Sequence, residues 1–261
     1  MKRSSRARTG ATATMAVLSL ALITGCGGGS DGKDTSEGSN EGSGKASSSP
    51  TTAAKALSAA ELEKLLLTQG DIKGFKVTSG DKTLLKSKSE IKTDKAECAP
   101  LAYAMAALAP GETDANASNT VTQDTASAVA SKSPEDLSDA DIENAFQVKL
   151  TYVGLSSYQG DGAEKALKAV SDGVQACAGG FGIAAQGEQQ KITKIAPAKA
   201  SGSGDESVAF SVDLTADGES TSTTTQVVRV GSTVATYYTV SFGKTAEVPE
   251  AVLSAQAAKL A

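Results

Sequence analysis

The chain has 261 residues with no His, no Trp and three Cys, and 25 Lys plus Arg against 30 Asp plus Glu give a formal charge of −5. Without His there is no Ser-His-Asp or Cys-His triad, no His-ligated zinc or haem and no imidazole pH switch, and three Cys alone leave no structural zinc site. The acidic balance has the wrong sign for a nucleic-acid binder.

Lys2, Arg3, Arg6 and Arg8 precede an uncharged run from Ala11 to Ile23. A basic head, a short apolar core and a small residue before a cut predict a secretory signal over residues 1–25. The core falls short of the roughly 20 residues a bilayer-spanning helix needs. Leu22-Ile23-Thr24-Gly25-Cys26 resembles a bacterial lipobox. That resemblance implies diacylglycerol on the Cys26 sulfur, a palmitate-type acyl anchor and removal of residues 1–25. The alternative is an ordinary signal peptide with an incidental Cys. Removing the leader's four cations leaves 21 basic against 30 acidic residues, a net −9.

Residues 26–56 read as a lipid-anchored flexible linker. Fourteen of the 24 residues from Gly27 to Pro50 are Gly or Ser, with Asp31, Asp34, Glu37 and Glu41 among them. Such a segment buries too little apolar surface to offset its ordering entropy. As a coil of about 30 residues it spans roughly 30 Å, enough to hold a domain clear of lipid headgroups. Ser47-Ser48-Ser49-Pro50-Thr51-Thr52 reads as spacer before O-glycosylation site.

Residues 57–261 are expected to form one α+β domain with an antiparallel sheet packed against several helices. Ser58 and Glu61 form a capping box ahead of Leu62, Leu65 and Leu66, predicting a helix up to Gly70. A second helix is predicted over 94–108, with apolar positions Cys98, Leu101, Met105 and Leu108 and Pro110-Gly111 as its stop. Asp161 and Glu164 cap a third, whose stripe is Ala163, Leu167, Val170, Val174 and Cys177. The last starts at Pro249 and carries Leu253, Ala257 and Leu260. Phe146, Val148, Leu150 and Tyr152 alternate, as do Val208, Phe210, Val212 and Leu214. Val228-Arg229-Val230 and Thr233 to Tyr238 flank Gly231-Ser232, a two-residue hairpin turn. Period-2 alternation predicts one buried and one wet face.

Cys98 and Cys177 both lie on apolar helical stripes, so an exported chain is expected to join them in a helix–helix disulfide. Alternatives are a redox pair, disfavoured without a C-x-x-C motif, or two inert thiols. Other clusters read structurally. Ser133-Pro134-Glu135-Asp136 with Asp139, Asp141 and Glu143 lacks the Gly of a calcium loop and reads as a helix start. Lys82, Lys86, Lys88, Lys92 and Lys95 read as an edge strand guarded against sheet pairing. Gly179-Gly180-Phe181-Gly182 follows a helix, so it reads as a C-cap and not a phosphate cradle. Arg229 is the only Arg of the domain, which leaves no guanidinium cluster for phosphate or carboxylate. Tyr103, Tyr152, Tyr158, Tyr237 and Tyr238 read mostly as core.

The order of a capped helix, a Gly74-Phe75 strand, a helix with Glu97-Cys98-Ala99-Pro100-Leu101, a helix ending Val174-Gln175-Ala176-Cys177, a Gly204-to-Ser207 turn, paired strands through Gly231 and a terminal helix with Gln256 and Leu260 carries a resemblance. It is similar to the extracellular sensor-domain family found on actinobacterial receptor kinases of the PknH type and on free-standing lipoproteins. The kinase version carries two disulfides; this chain has one Cys pair and no kinase domain. The resemblance implies an α+β domain with a cleft for a small ligand or wall fragment.

The expected function is therefore a non-catalytic sensor-like or small-ligand-binding lipoprotein on the outer face of the cytoplasmic membrane. Its partners would be the membrane, through Cys26, and a small ligand or cell-wall component, with no cofactor, no metal and no nucleic acid. The alternatives are an envelope-processing hydrolase using paired carboxylates or a Ser-Lys pair, and an accessory lipoprotein docking on a membrane complex.

Overall fold

A computed structural model describes residues 55–113, 115–124, 133–139, 149–216, 219–241 and 246–261. The leader, Cys26 and the linker up to residue 54 lie outside these, as do Asp141, Glu143, Phe146 and Val148. Four α-helices are described: α1 (Ala59–Leu65), α2 (Ala99–Met105), α3 (Gly162–Ala176) and α4 (Glu250–Leu260). The strands are β1 (Phe75–Ser79), β2 (Ile91–Thr93), β3 (Asn116–Gln123), β4 (Lys149–Ser157), β5 (Phe181–Ala185), β6 (Glu188–Pro197), β7 (Glu206–Ala216), β8 (Glu219–Val230) and β9 (Thr233–Ser241).

All nine strands join one sheet in the order β1-β3-β4-β9-β8-β7-β6-β5-β2, and every neighbouring pair is antiparallel. The fold is α+β as expected. β1 and β2, consecutive in the chain, stand at opposite edges of the sheet. Residues 80–90 therefore cross from one edge to the other as a strap.

The sheet is covered on both faces, which overturns the expectation of one wet face for the central strands. Helices α2 and α3 pack on one side with Ile192, Ile195, Phe210, Val212, Val227 and Val234. Helices α1 and α4 pack on the other with Val121, Val153, Leu155, Val228, Ala235 and Tyr237. Neighbours in sequence thus enter opposite cores, Val227 against Val228 and Val234 against Ala235. Thr236 and Thr239 are both buried, because a β-branched Thr packs much as Val does.

Helix α1 has the expected capping box, with the Glu61 side chain accepting from the Ser58 N–H at 2.8 Å. It ends at Leu65, short of Gly70, because Leu66 turns extended (φ −62°, ψ 152°). Its last carbonyls are met from afar. The fully buried Gln256 of α4 donates to the Leu65 carbonyl at 2.8 Å and accepts from the Leu67 N–H at 3.2 Å. Asn119 of β3 donates to the Leu67 carbonyl at 2.7 Å. The buried face of α4 is consequently Val252, Leu253 and Gln256, with Ala257 and Leu260 only half-buried.

The segment predicted as one helix over 94–108 is a single 3-10 turn, Ala96–Cys98, followed by α2. It closes before Pro110 through a Schellman turn: the Leu108 N–H bonds the Tyr103 carbonyl at 2.9 Å and the Ala107 N–H bonds that of Ala104 at 3.3 Å. Ala107 takes the left-handed position (φ 55°) where Gly is usual. The disulfide forms as expected. Cys98 precedes α2, Cys177 follows α3, their sulfurs are 1.98 Å apart, and both residues are fully buried.

Candidate functional site

A cleft of about 220 Å³ opens on the α2–α3 side of the sheet. Four pieces of chain wall it: the strap, the end of α2, strand β4 and the β5–β6 hairpin. Each is held by a local device.

Asp81 fixes the strap. Its Oδ1 accepts from the Thr83 N–H at 2.9 Å and the Thr83 hydroxyl at 2.7 Å, and its Oδ2 accepts from the Thr120 hydroxyl of β3 at 2.9 Å. These bonds, the Thr83 N–H foremost, hold the carboxyl below its usual range. The turn so formed sets Thr83, Leu84 and Leu85 along one wall of the cleft. Downstream, Glu90 accepts from the N–H groups of Lys86 and Ser87 at 3.0 and 2.9 Å, which secures the far end of the strap.

Met105 and Ala106 line the cleft from the end of α2. That end sits close on β4 because Gly154 has no side chain: a Cβ there would run into the Ala107 backbone and the Thr236 hydroxyl. Tyr152, two residues earlier on β4, faces the cleft. It is paired in register with Tyr238 of β9, and the two rings stack with centroids 6.3 Å apart. Burial and the nearby Asp81 carboxylate push the Tyr152 phenol up, so it stays a neutral hydrogen-bonding group at ordinary pH. Opposite Tyr238, the buried hydroxyl of Thr225 has no hydrogen-bond partner among the described residues.

The fourth wall is the β5–β6 hairpin, with Ala185 paired to Glu188 across Gln186 and Gly187. Both turn residues have positive φ, 53° and 85°, the pattern of the tight turn that matches strand twist. Gln186, Glu188 and Gln190 reach the cleft from this hairpin, together with Ile183 and Ala185.

Two wider depressions, of about 530 and 600 Å³, lie elsewhere on the surface. In the first, Asp94 accepts from the Gly182 N–H at 2.9 Å and Lys95 donates to the Gly180 carbonyl at 2.8 Å. In the second, Arg229 is paired with Glu206 at 3.0 Å and Asp205 at 3.2 Å. Asp94, Lys95 and Arg229 are thus already engaged within the fold.

The residues singled out from sequence fall as follows. Gly179 and Gly180 do follow α3 in a turn, with Gly180 at φ 78° and its N–H on the Cys177 carbonyl at 2.8 Å, while Phe181 and Gly182 already begin β5. Of the five lysines, Lys92 alone lies on the edge strand β2. Lys88 reaches over the Tyr103 ring at 5.3 Å and donates to the Gly111 carbonyl. Pro134–Asp136 form one 3-10 turn, and no metal-holding cluster of three or more His, Cys, Asp or Glu occurs among the described residues. Tyr158 and Tyr237 are core; Tyr152 lines the cleft. The strap residues Thr83 to Leu85 and the hairpin residues Gln186, Glu188 and Gln190 escaped the sequence reading. Gln186-Gly187 was the signal available, since a residue followed by Gly between two strands marks a tight hairpin.

No protein-family model matches the chain, and no curated protein matches it. Among solved structures, the extracellular domain of PknH from Mycobacterium tuberculosis aligns with a TM-score of 0.46 at 10% identity, covering 79% of this chain and 95% of that one. No described helix is long and apolar enough to cross a membrane.

Proposed function

We propose that this chain is an exported lipoprotein, tethered through diacylglycerol on Cys26, whose α+β domain at 57–261 binds a small ligand without transforming it. The observation that carries the reading is the cleft, a concave site walled by four separately braced segments and lined by apolar and hydrogen-bonding side chains. Among the described residues that line it, Glu188 is the one carboxylate and there is no Ser or Lys, which favours binding over a carboxylate-pair or Ser-Lys reaction. A disulfide between two core cysteines suits an oxidising compartment outside the cytoplasm. The lipobox-like Leu22-Ile23-Thr24-Gly25-Cys26 supports the anchor.

Two measurements test this. Metabolic labelling with an alkyne fatty acid in a Gram-positive host should mark the full chain, and Cys26→Ser should lose the label and shed the protein from the membrane. Native mass spectrometry of the chain released from its host should retain a small ligand that Ala185→Trp, filling the cleft from the hairpin, displaces. An unlabelled Cys26 overturns the anchor; a folded, ligand-free chain overturns the binding role.

A further inference from the structure

We propose that the cleft selects an amphiphile with an aliphatic body and an uncharged, hydroxyl-bearing head, and that Glu188 turns away anionic amphiphiles of the same body. The inference rests on the binding role given above and adds the class of ligand. One side of the lining is aliphatic: Leu84, Leu85, Met105 and Ile183. This surface rewards removal of alkyl groups from water, at about 25 cal/mol per Å².

The polar side is of one kind. The Gln186 and Gln190 amides each donate and accept, the Tyr152 phenol does both, and the Thr83 oxygen keeps acceptor capacity after donating to Asp81. Groups that donate and accept together match hydroxyls, which do the same. A carboxylate or phosphate head is best met by a counter-charge, yet no Lys or Arg is among the described residues lining the cleft. The one charged group among the described lining residues is the Glu188 carboxylate, at the first position of β6 beside the hairpin turn. It accepts from hydroxyl donors and repels anions. Because Glu188 is exposed, the repulsion is screened, and the discrimination it supplies is about three- to fivefold.

The test uses the secreted full chain carrying Cys26→Ser, so that no acyl chain competes, with octyl β-glucoside, octanoate and glucose as probes below any micelle concentration. Backbone amide chemical shifts of Thr83 to Leu85 and Gln186 to Gln190 report occupancy. Octyl glucoside should titrate these amides at least threefold more tightly than octanoate, and glucose should fail to. Glu188→Gln should close most of the gap and Glu188→Lys should reverse it, since an exposed hairpin residue is changed without touching the core. Equal binding of octanoate, or a gap unaltered by Glu188→Gln, overturns the charge selection while the binding role stands. Glucose binding as tightly as its octyl derivative overturns the aliphatic body. If no amphiphile shifts these amides, the ligand class proposed here falls, and the native mass spectrometry above decides the binding role separately.

Discussion

Gly154 on β4 lies against the carbonyl of Ala107 with no room for a methyl group between them, so the end of α2 rests directly on the sheet. Because a backbone carbonyl cannot rotate aside as a side chain does, Gly154→Ala must push α2 away or bend β4. Overpacking of this kind costs about 1–3 kcal/mol. Urea unfolding should show that loss, and the cleft should deform with it, since Met105 and Ala106 lie two and one residues before Ala107. Gly179→Ala, where a Cβ meets nothing within 4 Å, is the control and should leave stability within about 0.5 kcal/mol.

The buried amide of Gln256 joins the two helices on the opposite face. Gln256→Ala removes both of its bonds and leaves the Leu67 N–H and Leu65 carbonyl without that partner. A loss of about 2–4 kcal/mol follows from a cavity plus stranded polar groups. A loss under 0.5 kcal/mol in chemical denaturation would show that water replaces the amide freely.

The Cys98–Cys177 bond closes a separation of 79 residues, for which chain entropy gives about 4.5 kcal/mol as an upper figure. Thiol titration of folded Cys26→Ser protein should find no free thiol. The double variant Cys98→Ala/Cys177→Ala should unfold at lower denaturant by an amount equivalent to about 2–4 kcal/mol. Two reactive thiols in the folded chain would sink the assignment.

Four tyrosines make the fold sensitive to alkali. Burial raises the phenols of Tyr152, Tyr158, Tyr237 and Tyr238 above the ordinary value near 10. The unfolded chain then releases phenolic protons first as pH climbs, so stability is full below about pH 10 and falls above it. Tyr237, shifted by burial alone, should dominate. Tyr237→Phe should match the parent near pH 7 and flatten the decline between about pH 10 and 12, read from denaturant midpoints.

Edge strand β1 is shielded by a side chain acting as a neighbouring strand. Gln69 accepts from the Val77 N–H at 3.0 Å and donates to the Phe75 carbonyl at 3.4 Å. Gln69→Ala should free this edge for pairing, visible as concentration-dependent association in sedimentation velocity. An unchanged monomer at high concentration would assign the guarding role elsewhere, for example to Lys76 on the same strand.

Some of this was legible in the residues and some was not. The Ser58–Glu61 box, the α3 stripe and the Gly231-Ser232 turn are local patterns, and each formed where its spacing put it, Gly231 at φ 57°. The Cys pair was readable because both cysteines sat on apolar helical faces. Strand β3, Asn-Ala-Ser-Asn-Thr-Val-Thr-Gln, reads as loop by composition; it is a strand because Asn119 is buried against the Leu67 carbonyl and Thr120 against Asp81. Strand β8 was legible at Val228-Arg229-Val230, but its first half, rich in Ser and Thr, hid in the same way. Beyond the Gln186-Gly187 turn the cleft had no local signature, since its walls run from Thr83 to Gln190 and meet only through the fold.

The strap has a length that matters. Eight strand-to-strand steps of about 4.8 Å would set β1 and β2 some 38 Å apart in a flat sheet. A dozen peptide steps from Ser79 to Ile91 reach about 40 Å at full stretch, and the turn after Asp81 and the 3-10 turn Lys88–Glu90 use up part of that. The sheet must therefore stay curled for its two edges to remain tied. Thr83 to Leu85 hang from that tether, so one wall of the cleft is set by the same span that ties the two edges of the sheet.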